Sequence, residues 1–211
     1  MPDLLAALRA VLPSGVVSAA PDDSPLWPVE QIGPAVPGRL AEFAAGRSAA
    51  RAAMRALGHN PAAIPAGADR APLWPAGLTG SITHCAGACL AVVGRTTQWA
   101  GLGLDAEPVA NLEPALWPTL LAEGESVADG QAALALFVAK EAAYKAQYAL
   151  SRQLFDFQTL RLIWQGDRFG AAFTRAVAPF ASGTVLSGQM VRTSGHLAAF
   201  VAIAAQEQRI P

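Results

Sequence analysis

A chain of 211 residues, 53% of them apolar and 15% charged, carries enough apolar surface for a buried core, which excludes a disordered chain. Fifteen basic residues against sixteen acidic leave a net charge of −1, so no bulk field holds a long nucleic acid and any polyanion must be met locally. The longest apolar run, Leu197 to Ala205, is far short of the roughly 20 residues of a spanning helix, so no membrane partner is expected.

From the N-terminus, Met1-Pro2-Asp3-Leu4-Leu5-Ala6 presents no basic leader before an apolar block, and a cytoplasmic chain is expected. Leu4, Leu5, Leu8, Val11 and Leu12 recur at helical spacing, and the proline-punctuated stretch from Pro21 to Pro37 reads as extended loop or edge structure. An alanine-rich amphipathic helix follows from Leu40 to Leu57, closed by Gly58. Arg47, Arg51 and Arg55 recur in it every four residues and share a face. Such a stripe is more often a solvated face than an anion contact.

After a loop from Pro61 to Pro75, three short apolar stretches (Leu78 to His84, Cys89 to Gly94, Trp99 to Glu107) predict a three-stranded antiparallel arrangement. Ser81-Ile82-Thr83-His84 puts small hydroxyls and a histidine at a strand end, without the Gly-x-Ser-x-Gly setting of a hydrolase nucleophile. A lone histidine of this kind is more often structural. Cys85 and Cys89 lack the further Cys or His pair of a zinc site and read as ordinary strand or turn residues.

In Gly101-Leu102-Gly103-Leu104-Asp105-Ala106-Glu107, Asp105 and Glu107 lie two apart on a strand and point to one side. Paired carboxylates need a cation, a shared proton or basic neighbours, and magnesium suits them; a solvated strand end is the alternative. The Gly-Leu-Gly opens no helix and is too short for a nucleotide fingerprint.

A helix from Gln131 to Leu150 then carries Lys140 and Lys145, the only lysines beside thirteen arginines. An arginine-biased chain that keeps lysine at two positions points to a need for a compact point charge that can exchange a proton. Glu141 and Lys145, four apart, would also stabilise the helix simply as an ion pair, but that leaves Lys140 and Tyr144 unexplained. Three carboxylates and two lysines resemble a metal and pyrophosphate site. Strands are predicted at Leu160 to Trp164, Arg168 to Phe173, Thr184 to Val191 and Leu197 to Ala205. The order helix, strands, helix, strands predicts an α+β fold of two pseudo-symmetric halves, each a small, mostly antiparallel sheet packed with helices.

Four segments in order, Gly46-Arg47-Ser48, Arg70-Ala71-Pro72-Leu73-Trp74-Pro75 through Ser81-Ile82-Thr83-His84, Gly103-Leu104-Asp105-Ala106-Glu107 and Phe137-Val138-Ala139-Lys140-Glu141-Ala142-Ala143-Tyr144-Lys145, resemble the motif set of 4′-phosphopantetheinyl transferases. The resemblance is to the enterobactin-synthetase type and spans roughly Phe43 to Tyr148; beyond Leu150 no motif recurs. It implies an enzyme that moves 4′-phosphopantetheine from coenzyme A to a serine of an apo acyl or peptidyl carrier protein and releases 3′,5′-ADP. A coenzyme A binding module without transfer activity and a metal-dependent phosphohydrolase are the alternatives. The resemblance also implies Mg2+ held by Asp105, Glu107 and Glu141, with Glu141 a ligand, the base for the serine, or both. Lys140 and Lys145 would contact phosphates, Lys145 easing departure of 3′,5′-ADP. Arg47, Arg55 and His84 would clamp the 3′-phosphate, with Arg70 added to the pocket. The halves would be residues 1–105 and 106–211, forming one functional unit and a monomer, with coenzyme A in the cleft between them.

Overall fold

The computed structural model describes residues 2–205. Its elements are α1 (Pro2–Val11), β1 (Val16–Ala19), α2 (Pro37–Ala56), β2 (Leu78–Cys85), β3 (Ala88–Arg95), β4 (Trp99–Pro108), α3 (Trp117–Leu120), α4 (Gly130–Ser151), β5 (Leu160–Gln165), β6 (Arg168–Phe173), β7 (Val185–Arg192) and β8 (His196–Ala204). They form an α+β fold with two antiparallel sheets, ordered β1-β3-β2 and β4-β8-β7-β6-β5. Helix α2 packs on the first sheet and α4 on the second, while α1 lies against a cluster shared by both. No helix among the described residues is long and apolar enough to cross a membrane.

Two strand assignments differ from the sequence reading. β1, a four-residue strand too short to show a pattern, takes the free edge of β3. β4 does not extend the β2–β3 hairpin; it pairs with β8 along Trp99–Pro108 and belongs to the second sheet. The chain therefore changes sheet between Arg95 and Trp99, and residue 105 lies inside a strand.

The reason is that β4 is buried on both faces. Leu102, Leu104 and Ala106 enter the cluster between the sheets with Leu4, Leu8, Leu90 and Val92. Gly101 and Gly103 face α4, and a Cβ on Gly103 would stand 1.8 Å from the carbonyl oxygen of Ala142. The Gly-Leu-Gly is thus a packing device that lets a helix backbone rest on a strand. Across from it, hydroxyls of β2 stand in for a missing ladder: Leu104 N–H donates to Ser81 Oγ at 3.0 Å and Ala106 N–H to Thr83 Oγ1 at 3.1 Å. α4 starts at Asp129, whose carboxylate accepts from Ala132 N–H at 2.8 Å. It is this helix, seated through alanines on β4, that brings Lys145 to Asp105.

Candidate active site

Residues from α2, β2, β4, α4 and the 69–72 loop line one cleft of about 430 Å³. On α2 the lining positions are Arg39, Glu42, Phe43, Gly46 and Arg47, a single helical face that sits tightly on β2; a Cβ on Gly46 would meet Ile82 at 2.8 Å. Arg47 is almost fully buried: its guanidinium lies 3.6 Å over the Phe43 ring, its Nε donates to the Ile64 carbonyl at 3.1 Å, and its Nη2 has no partner. Burial pushes its pKa down to about 10, which leaves it charged near neutrality.

The arginine stripe does not act as a unit. Each four-residue step on an α-helix turns about 40° beyond a full turn, so Arg47, Arg51 and Arg55 fan apart. Arg51 is fully buried in an ion pair with Glu30, and Arg55 pairs with Asp22 outside the cleft. Expected as a phosphate contact, Arg55 instead fastens the segment before α2 to the helix, together with Ser48, which donates to Asp22 Oδ1 at 2.7 Å. Arg39 does reach the cleft, at a position the sequence reading passed over. Following the face about two turns toward the N-terminus, from Arg47 through Phe43 to Arg39, is the signal that finds it, and it needs the helix to start before Leu40.

His84 closes this side. Arg39 Nη1 stands 2.8 Å from His84 Nε2; arginine only donates, so Nε2 accepts and the ring proton sits on Nδ1, 3.7 Å from Glu42. Burial lowers the His84 pKa, and the charges of Arg39 and Lys145 push the same way against Glu42 and Asp105. Arg70 also lines the cleft, held at φ 66° by a tight loop in which Gly67 N–H donates to the Ala71 carbonyl and Ala71 N–H to Asp69 Oδ1. Tyr148 of α4 donates to Asp69 Oδ2 at 2.6 Å and ties that loop to the second half of the fold.

Carboxylates and an ammonium make up the other part. Asp105 Oδ1 accepts from Lys145 Nζ at 2.6 Å and from Thr83 Oγ1 at 3.2 Å, while its Oδ2 is buried with no partner. A buried bare carboxylate oxygen is costly unless something meets it. Glu107 and Glu141 lie outside the lining of the large cleft, Glu141 facing a second cavity of about 290 Å³ with Tyr144 and Phe155. Burial raises the pKa of both, and the Asp105 charge raises each further, against the pull of Lys145. The three carboxylates therefore feel one another, although no group of three His, Cys, Asp or Glu side chains closes to metal-holding distance among the described residues. Hard oxygen donors with an unmet Asp105 Oδ2 fit magnesium, which needs only one or two carboxylates beside substrate phosphates.

Lys140 goes elsewhere. Its ammonium is fully buried and donates to Glu125 Oε2 at 2.5 Å, the Leu120 carbonyl at 2.7 Å and the Phe157 carbonyl at 3.1 Å, which uses all three protons. The lysine expected on phosphate instead ties α4 to the 120–125 segment and to the turn before β5. A lysine one residue before Glu141 projects about 100° away from it, and that angle was the available signal.

Cys85 and Cys89 are free and half-buried, and burial pushes both thiols up to about 11. Their reaction with iodoacetamide at pH 8 is expected to run about 10² times slower than that of a free thiol of ordinary pKa and to climb with pH toward 11, read by the mass of the alkylated protein.

The family model of the 4′-phosphopantetheinyl transferase N-terminal domain matches residues 28–94. The chain is 39% identical over 201 residues to the 4′-phosphopantetheinyl transferase Svp of Streptomyces mobaraensis, covering 86% of this chain and 80% of that one. It is 35% identical over 170 residues to the 4′-phosphopantetheinyl transferase Npt of Nocardia iowensis, covering 75% and 77%. Enterobactin synthase component D of Escherichia coli K12 is 40% identical over 118 residues, covering 51% of this chain and 54% of that protein.

Proposed function

The chain belongs to the 4′-phosphopantetheinyl transferase family, and on that premise we propose that coenzyme A lies in the 430 Å³ cleft, its 3′-phosphate among Arg39, Arg47, Arg70 and His84 and its pyrophosphate beside Asp105 and Lys145. The protein is an enzyme that transfers the 4′-phosphopantetheine group of coenzyme A to a serine of an apo carrier protein, releasing 3′,5′-ADP. The observation that carries the placement is that one cleft holds both the guanidinium groups of α2 and the 69–72 loop and the Asp105–Lys145 pair.

The serine oxygen attacks the phosphorus that bears pantetheine, and the bond from that phosphorus to the bridging oxygen breaks. Such a step asks the protein for positioning and charge neutralisation more than for covalent work. Glu141, in the cavity that meets the cleft at Tyr144, receives the serine proton. Lys145 meets the charge that develops on the departing 3′,5′-ADP, held in place by Asp105 and the Leu104 carbonyl. Asp105, Glu107 and Glu141 would hold magnesium, which would supply charge neutralisation for the pyrophosphate. Arg55 and Lys140, committed to Asp22 and Glu125, take no part in binding phosphate.

Both sides of the cleft come from one chain, so a monomer suffices, and the two sheets, which divide between Arg95 and Trp99 and not at residue 105, work as one unit in the cytoplasm. The likeness to enterobactin synthase component D favours carriers of nonribosomal peptide or siderophore assembly. The test is mass spectrometry of several apo carriers incubated with the protein, coenzyme A and magnesium. One added phosphopantetheine on the carrier serine is expected. Coenzyme A binding with no mass change would leave a binding module, and steady release of 3′,5′-ADP without a carrier would make the protein a phosphohydrolase.

A further inference from the structure

Arg47 offers the cleft a guanidinium with little freedom. Phe43 supports one face at 3.6 Å and Nε is spent on the Ile64 carbonyl, which leaves the unpartnered Nη2 to meet an anion. The weak link in that arrangement is Ile64 itself. It lies in a stretch outside any helix or strand, bounded by Pro61 and Pro65, so no backbone ladder fixes where its carbonyl points.

What fixes it is Glu30. Ile64 N–H donates to Glu30 Oε1 at 2.9 Å, and Glu30 Oε2 accepts from Trp27 N–H at 3.0 Å and pairs with Arg51. Glu30, Arg51 and Ile64 are all fully buried, so the carboxylate cannot exchange these bonds for water. A continuous relay therefore runs from Arg51 through Glu30 to Ile64 N–H, and from the Ile64 carbonyl to Arg47 Nε. Neutralising Arg51 accounts for one carboxylate oxygen; it does not account for the other, which is aimed at the residue whose carbonyl takes Arg47 Nε.

We propose that Glu30, which does not line the cleft, is a positioning residue that sets the orientation of Arg47 and thereby the preference for coenzyme A over its analogue lacking the 3′-phosphate. This rests on the reading that Arg47 meets that phosphate. An arginine held in place binds an anion without first losing side-chain freedom, and one released from Ile64 gives up that advantage.

The experiment separates the relay from the ion pair. Removing both members of a buried ion pair leaves no uncompensated charge, so two double variants are compared. Glu30→Gln/Arg51→Met keeps an amide oxygen to accept from Ile64 N–H, and Glu30→Leu/Arg51→Met keeps none. KM and kcat are measured with coenzyme A and with 3′-dephospho-coenzyme A, whose turnover also reports that each variant is folded. The leucine variant is expected to raise KM for coenzyme A about tenfold over the glutamine variant, with kcat and the KM for the dephospho analogue unchanged. Glu30→Asp, which keeps the charge opposite Arg51 but draws the carboxylate back by one methylene, carries the same prediction relative to the unsubstituted protein. If the two double variants treat both substrates alike, or if Glu30→Asp moves both KM values together, the positioning role is overturned. Arg47→Lys is the control: should it leave the preference for coenzyme A intact, the assignment of Arg47 to the 3′-phosphate fails with it, whereas loss of that preference beside indifferent Glu30 variants sinks the relay alone.

Discussion

Replacing Asp105 by asparagine is expected to lower kcat by about two to three powers of ten, with the melting temperature shifted by only a few degrees. Asparagine keeps an oxygen to accept from Thr83 Oγ1 and Lys145 Nζ, the two groups that hold Asp105 Oδ1, so β2, β4 and α4 stay joined. What is lost is the charge at Oδ2, the buried oxygen that no protein group meets. A side chain that served only to pair with Lys145 would have no reason to keep a second oxygen dry and bare. The loss should fall on kcat more than on the KM for coenzyme A, because the arginine side of the cleft is untouched and the missing charge matters as the pyrophosphate breaks. Chelation of magnesium in the unsubstituted protein should produce a loss of similar size. Near-normal turnover in Asp105→Asn that still demands magnesium would show the cation to be held by other residues, and the assignment of Asp105, Glu107 and Glu141 would fall with it.

Residues whose role follows from local spacing were legible before the fold was. The two carboxylates of β4 point to one side because strand geometry makes them, and the extents of α4 and β6 and the C-terminal end of α2 follow from apolar periodicity, Gly58 and the flanking turns, whereas α2 starts three residues before the expected Leu40. The partner of β4 was not legible, because pairing to a neighbour in sequence or to a strand some ninety residues later leaves the same alternation in β4 itself. The clue lay in its two glycines, read as too few for a nucleotide loop when they mark the seat of α4. The arginines show the same limit. Periodicity places Arg47, Arg51 and Arg55 on one side of a helix, but whether each meets substrate or an acid depends on where Asp22 and Glu30 return in space. The lysine bias of α4 covers two different placements, Lys145 against Asp105 in the cleft and Lys140 as a buried anchor on Glu125.

That second cause yields the other large effect. Glu125→Ala is expected to destabilise the protein by about 3–5 kcal/mol, since it leaves the Lys140 ammonium buried without its counter-charge. It also orphans Ala122 N–H and Leu162 N–H, which donate to Glu125 at 2.7 and 2.6 Å. Against a total stability of about 5–15 kcal/mol this is a large fraction, equivalent to a fall in melting temperature of about 10 °C for a chain of this size. Lys140→Met/Glu125→Gln removes both charges, keeps an acceptor for one of those N–H groups, and should recover most of the loss by scanning calorimetry. Its activity decides what Lys140 does. All three ammonium protons are spent on Glu125, Leu120 and Phe157, so the double variant is expected to turn over within about threefold of the unsubstituted protein at a temperature where both are folded. A fall of two powers of ten with the melting temperature restored would mean that Lys140 leaves Glu125 to meet phosphate during the reaction, and the anchoring role would be wrong. The contrast with Lys145 is then direct, since that lysine shares a helix with Lys140 but stands in the cleft beside Asp105, whose buried Oδ2 has no partner.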